Sequence, residues 1–514
     1  MSTSRRRPEG ALSLRSLLKK AVFVGAEDIC VSRCVGKAEH CRPGDCFVPQ
    51  ISGDVDQHEA VELAVKNGAV AVVSERLLPV SIPQCLVENN STAYAEICQA
   101  LAGSPSQRML TIGVVGTHSK TTTALFIASM LKGIGGSVAY YTSLGSSDSE
   151  FTDRTANQPP SARKLADWMR RADLNGTPSM VIELAQPMIQ HQVAAGVEFD
   201  LLIVTGLRAG QHQGSASQRR YQEWLDRAVL RLKPHGMLLV NADDAQAMQW
   251  ASKLDCHVVT YGLDASEDIR GKRLSRAGGQ QQILVRAGNT LMPLTLNMPG
   301  DHIARAALAA AATGWMFDFP VSEVIHHIER LKTIPGRMQR VSQSVDVPIY
   351  IDAADTPDRL AVALHAMQLH GFGRCTAVVD LSARLHPQWR SRLGEVLEKA
   401  GARVVLTGSA LTSDSARQAA MDVLGGLKKP GRHEVIPNRA EAIRWAVKNT
   451  HEGAILLAGC GANTWMSGNE HLIISDEASA AVAVAERHAN EAAAASVPML
   501  SIFPPPESSS TFKQ

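Results

Sequence analysis

Short, unbroken apolar runs separated by longer stretches with helical spacing dominate this chain. In its middle third the runs are Ile112-Gly113-Val114-Val115, Ser137-Val138-Ala139-Tyr140, Met180-Val181-Ile182-Glu183, Leu201-Leu202-Ile203-Val204-Thr205 and Met237-Leu238-Leu239-Val240. Runs of this kind fit strands buried on both faces of a parallel sheet; a sheet with one wet face would alternate apolar and polar positions. A long alanine-rich helix then ends at the proline-glycine break Ile334-Pro335-Gly336-Arg337. Beyond it, strand-like runs at 348–352, 376–380, 403–407 and 454–458 again alternate with helical segments, which predicts a second open, mostly parallel sheet. The first hundred residues predict a helix over 59–67, a strand over 69–73 and an amphipathic helix over 14–24. The expected organisation is α/β throughout: a basic extension at 1–20, a small α/β domain at 21–106, a central domain at 107–334, a third at 335–490 and a disordered Ala/Pro/Ser-rich tail at 491–514.

Composition narrows the class without naming it. Lys+Arg 52 against Asp+Glu 50 leaves a net charge of +2, so no global field favours nucleic acid or a membrane surface. No run of about 18 apolar residues predicts a membrane span, and the Arg5-Arg6-Arg7 segment lacks the apolar core of a signal peptide. A cytoplasmic protein is expected. Nine cysteines, an odd number scattered over 514 residues, fit reduced thiols. Cys30, Cys34, Cys41 and Cys46 lie close together with His40, but their spacing matches no standard zinc knuckle and they flank strand-like runs. Buried thiols are the expected outcome, with zinc the alternative.

The chemistry-bearing stretch is Gly113-Val114-Val115-Gly116-Thr117-His118-Ser119-Lys120-Thr121-Thr122-Thr123, between a strand and the helical pattern from Ala124. A strand, a glycine-punctuated loop and a helix N-terminus form an anion site in which backbone N–H groups hold nucleotide phosphates. Gly113, Gly116, Thr117, Ser119, Lys120, Thr121 and Thr122 are the candidate nucleotide-binding residues. Lys120 would reach the terminal phosphates and Thr121 would offer its hydroxyl to Mg2+. Ser119 stands where such loops carry glycine, which is tolerable only if the backbone there avoids positive φ.

This loop, with about a hundred residues before it, resembles the Mur ligases, and further segments in matching order extend the likeness over most of the chain. Ser32-Arg33 and Arg42-Pro43-Gly44-Asp45-Cys46-Phe47-Val48 are similar to the element where the family docks the uridine nucleotide. Val240-Asn241-Ala242-Asp243-Asp244 resembles a strand end of the central domain. Gly336-Arg337-Met338-Gln339, Asp352-Ala353-Ala354-Asp355-Thr356-Pro357-Asp358 and Asn438-Arg439-Ala440-Glu441-Ala442-Ile443 resemble segments of the C-terminal domain. The resemblance implies a three-domain architecture with a central phosphate-loop sheet and a C-terminal Rossmann-like domain. It implies ATP and Mg2+ as cofactors, and a ligase adding the third amino acid to a UDP-N-acetylmuramoyl dipeptide in peptidoglycan precursor synthesis. By the same resemblance Lys120 and Glu183 are the catalytic candidates, Arg337 joins the nucleotide-binding set, Ser32, Arg33 and Asp355 are substrate-binding candidates, and Thr121, Glu183 and His212 are metal candidates.

Departures from the family pattern cluster at contact positions. After Glu183 the family's Ser-Ser-His is lost to Leu184-Ala185-Gln186, and the Asp-His element becomes Gly206-Leu207-Arg208-Ala209-Gly210-Gln211-His212. Leu225 stands where several members carry a carbamylated, metal-bridging lysine. The adenine-contacting asparagines become Ile303 and Ala306, and the diphosphate loop becomes Asn157-Gln158-Pro159-Pro160. The basic segment near Asp380-Leu381-Ser382-Ala383-Arg384 is altered, the amino-acid-selecting arginine motif becomes Thr407-Gly408-Ser409-Ala410, and a lysine-histidine-glutamate segment becomes Cys460-Gly461-Ala462-Asn463. The expectation is a divergent member impaired in ligation. Two alternatives stay open: a ligase with a shifted substrate, drawing on His118, His212 or Asp355, and a non-catalytic partner of cell-wall enzymes.

Overall fold

The computed structural model describes residues 11–52, 55–153, 158–207, 215–264, 268–341, 347–381, 387–408, 414–467 and 472–495. Two compact units divide at Ile334/Pro335. Among the described residues no helix is long and apolar enough to cross a membrane.

The first unit holds two main sheets. The smaller runs Val22–Val24, Gln84–Leu86, Ala71–Ser74, Cys46–Phe47, Cys34–Val35, all parallel except the antiparallel edge strand Val22–Val24. The amphipathic helix expected over 14–24 is a single turn, Leu14–Leu17 capped by Ser13, followed by that edge strand. Leu14 and Leu18 fill the core after one turn, and Phe23 then needs a strand's geometry to reach the sheet. The helix expected over 59–67 is a 3-10 turn followed by Val61–Lys66. Cys34, Cys41 and Cys46 are buried thiols packed with the apolar core, whereas Cys30 is only half-buried, and no group of three or more His, Cys, Asp or Glu among the described residues is placed to hold a metal.

The larger sheet has 11 strands. Its parallel centre runs Ala139–Thr142, Ser179–Glu183, Leu110–Val115, Phe199–Val204, Leu232–Asn241, His257–Gly262, with Val114 paired to Glu183 on one side and Ile203 on the other. Both faces are covered. One packs on the helices Lys120–Gly135, Asp301–Met316 and Val321–Glu329, the other on Ala162–Leu174, Ser215–Val229 and Ala245–Ala251. This double cover is why the central runs are apolar without alternation. An antiparallel meander, Ile269–Ala277, Gln280–Ala287 and Thr290–Leu296, extends one edge.

The second unit carries a six-stranded sheet in the order Gln339–Arg340, Ile349–Asp352, Ala454–Ala458, Cys375–Asp380, Arg403–Thr407, Glu434–Val435, parallel except for the first pair. Helix starts are set locally: Thr356 caps Pro357–Leu369 with proline in the first turn, and Asn438 caps Arg439–Asn449. The last helix runs Asp476–Ala495, so the first residues assigned to a tail are helical.

Candidate functional site

The strand Leu110–Val115 ends at Gly116, whose φ is +137° and whose added Cβ would stand 2.2 Å from Thr205 Oγ1. Only glycine fits there, because conformation and space exclude a side chain together. Gly113 has a different job: it lies inside the strand, and a Cβ on it would meet Phe199 and Leu202 at 2.9 Å, so its role is packing. The loop returns through Thr117, whose N–H donates to Gly206 O at 3.0 Å. Thr205 Oγ1 lies 3.1 Å from Val115 O and 2.5 Å from His118 O, within hydrogen-bond reach of both carbonyls, which holds the loop against the next strand. From the helix Ser215–Val229, the buried Tyr221 lies close to the Gly116 backbone, and burial pushes its pKa up.

Ser119 adopts φ 60°, ψ 5°, the left-handed region. The backbone has kept the glycine conformation although the residue is serine, so the sequence-based condition of avoiding positive φ is not met. Lys120 then opens the helix Lys120–Gly135, and its Nζ donates to Gly116 O at 2.8 Å, spanning the loop. The first N–H groups of a helix have no intrahelical acceptor and face an anion placed there.

Beneath the helix start, the hydroxyl of buried Thr121 donates to Glu183 Oε1 at 3.1 Å and lies 2.9 Å from Ser143 Oγ. The Ser143 N–H donates to Glu183 Oε2 at 2.8 Å. Glu183 is 6% exposed at the carboxyl end of its strand, where doubly wound sheets place ligands. Thr121 and Glu183, both metal candidates by resemblance, therefore converge within hydrogen-bond distance. Ser143, Thr205 and Tyr221 are site residues that sequence reasoning missed. Tyr221 alone carried a signal, one helical turn before Leu225 and so on the same face.

Leu225 is fully buried in the apolar core beside Tyr221. Ile303 and Ala306 are likewise buried in the helix Asp301–Met316. Around that helix start the polar groups bind one another. Arg305 Nε donates to Asp243 Oδ2 at 2.6 Å, Arg273 pairs with Asp264 and with Asp301, and Arg276 pairs with Asp301. Burial alone would raise Asp243; the hydrogen bonds from Arg305 and from the Leu263 and Asp264 N–H groups outweigh it and hold the carboxyl below the usual range. Asp244 caps the next helix through the Gln246 and Ala247 N–H groups.

Ser32 is exposed, and Arg33 pairs with buried Asp45 at 2.7 Å. His212 and Asn157 fall outside the described residues, as do Ser382, Ala383, Arg384, Ser409 and Ala410. Arg337 and Asp355 belong to the second unit, where Arg337 Nη1 donates to Gly336 O at 3.0 Å and Asp355 pairs with Arg359 at 2.8 Å. At the carboxyl end of that unit's sheet, Cys460 lies beside Asp380, whose pKa is raised by burial. The buried Arg439 makes a two-pronged pair with Asp476, 2.6 Å on each arm.

The Mur ligase middle domain matches residues 114–314, and the Mur ligase glutamate ligase domain matches 336–461. The UDP-N-acetylmuramoyl-L-alanyl-D-glutamate--2,6-diaminopimelate ligase of Listeria monocytogenes serotype 4b is 24% identical over 479 residues, 91% of this chain and 97% of that protein. The ligase of the same name from Halalkalibacterium halodurans is 27% identical over 435 residues, 82% of this chain and 88% of that protein. Among solved structures, a ligase of that name aligns with a TM-score of 0.67 at 19% identity, covering 93% of this chain and 99% of the other. A MurF ligase from Thermotoga maritima in complex with ADP aligns with a TM-score of 0.58 at 19% identity, covering 90% and 98%.

Proposed function

The chain is a divergent member of the Mur ligase family, and from that premise we propose that it binds Mg·ATP at residues 116–122 while lacking the groups needed to ligate an amino acid efficiently. The carrying observation is the assembled Thr121-Glu183-Ser143 cluster under the helix start, set against a fully buried Leu225 where members carry a metal-bridging lysine. Lys120 Nζ, already across the loop, would exchange the Gly116 carbonyl for phosphate oxygens. Mg2+ fits this donor set as it usually binds, through one or two carboxylates with phosphates and water completing the shell; it would neutralise phosphate charge. Thr121 and Glu183 would hold it. Their mutual hydrogen bond keeps the hydroxyl and the carboxylate oriented together.

Ligation needs more than a held nucleotide. The acyl acceptor must be positioned and charge must be stabilised at a second centre. Leu225 offers no ligand, Ile303 and Ala306 offer no hydrogen bonds to a base, and Thr407 is buried with its hydroxyl on Pro437 O at 3.2 Å. Cys460 supplies a thiol where members carry a lysine. Groups that act together are lost non-additively, so little ligase activity should remain.

One observation favours a ligase with a shifted substrate: Asp380, Cys460 and Arg439 form a polar cluster at the carboxyl end of the second sheet. A phosphate-release and product screen with UDP-N-acetylmuramoyl-L-alanyl-D-glutamate, ATP, Mg2+ and a panel of amino acids separates the two readings. The impaired-ligase reading expects no tripeptide product above that of Lys120→Ala. A Lys120-dependent product with any amino acid would sink it.

A further inference from the structure

Open parallel sheets hold their ligands beyond the carboxyl ends of the strands. The second unit has a cavity at the other end, where the strands Cys375–Asp380, Arg403–Thr407, Glu434–Val435 and Ala454–Ala458 begin. It measures about 830 Å3, within the range of small-molecule sites. Arg374, which lines it, is met closely by Gly453, where a Cβ would stand 1.8 Å from Arg374 O.

Four permanent cations line this cavity, Arg374, Arg403, Lys429 and Arg432, with the carboxylates of Glu398, Glu434 and Glu452. Glu398 is engaged by the Lys428 N–H at 3.1 Å, and Arg403 lies over the Trp445 ring at 4.5 Å. Arg374, Lys429 and Arg432 form no ion pair with any described residue. By contrast Arg390, Arg392, Arg439, Arg444 and Arg487 of the same unit are each paired. His433 adds a donor, because its Nδ1 accepts the Val404 N–H at 3.1 Å and the ring proton is left on Nε2. Four cations against three carboxylates leave the lining net positive, and an anion bound among the three cations without ion pairs would be held by that charge.

We infer that this cavity binds a phosphate-bearing small molecule at a site separate from the phosphate loop. Inorganic pyrophosphate is the probe, titrated calorimetrically into the full chain carrying Lys120→Ala so that the loop is silent. Binding is expected in that background, weakened at least about tenfold by Arg374→Glu and by the double change Lys429→Glu with Arg432→Glu. All three residues are exposed, so thermal melts should be unchanged. Absence of binding at about 5 mM pyrophosphate, or binding indifferent to both charge reversals, overturns the site. A failure of ATP binding at Lys120 would not touch it.

Discussion

Ser119 holds a left-handed backbone that glycine adopts freely and other residues adopt at a cost of about 1 kcal/mol. Ser119→Gly should therefore raise stability by about 0.5 kcal/mol after the extra chain entropy of glycine is deducted. Urea unfolding checks it; a clear loss of stability would show that the serine side chain makes a contact worth more than the strain. Glu183→Gln keeps the shape of the buried carboxyl but removes its charge. Mg2+-dependent nucleotide affinity should fall about tenfold while affinity in EDTA stays the same, and an equal fall in both would remove Glu183 from the metal's shell. The loop itself was legible because glycine spacing, lysine and threonines follow one another in sequence. Ser143 was not, since it meets Glu183 only because Ala139–Thr142 pairs beside Ser179–Glu183.

The helix Asp301–Met316 is tied to the meander strand Ile269–Ala277 by Arg273, Arg276, Arg305 and the three aspartates they serve. Asp243, Asp264 and Asp301 have folded pKa values below their ordinary ones. A carboxyl lowered by folding stabilises above its unfolded pKa and loses that contribution as pH falls through the folded value. The window is therefore below about pH 4. Arg273→Leu should cost about 1 kcal/mol at pH 7, after discounting the exposed Asp264 partner for solvent screening, and the difference from wild type should shrink below pH 4. Thermal melts across pH 7 to 3 test this; a difference that does not change with pH would deny the network its electrostatic role. In the second unit, Asp476→Ala strands the buried Arg439 guanidinium and should cost about 3 to 5 kcal/mol, read by chemical unfolding. The meander itself escaped the sequence because Gln280–Ala287 buries alternate positions while its Ile-Leu-Val core reads as one continuous run. The helix at Leu14–Leu17 is shorter than the sequence predicts because its leucines repeat with helical spacing for one turn only.

At the scale of the chain, two parallel sheets with covered faces were legible from apolar runs alone, since burial on both faces removes alternation. Strand order was not, because it depends on crossovers between runs far apart in sequence. The departures from the family pattern sort the same way. Glycines that shape loops, such as Gly116, Gly336 and Gly459, keep positive φ and crowded surroundings that only glycine tolerates. Leu225 and Ile303, by contrast, have been absorbed into apolar cores where nothing polar is required. Loop-shaping glycines and buried apolar side chains are thus the positions whose packing the structure explains, and the impaired-ligase proposal rests on the second group. The most direct test is calorimetric titration of Mg·ATP into the full chain and its Lys120→Ala variant: the account predicts saturable binding that the substitution abolishes, and no binding at millimolar nucleotide, or binding that survives the loss of Lys120, would contradict it.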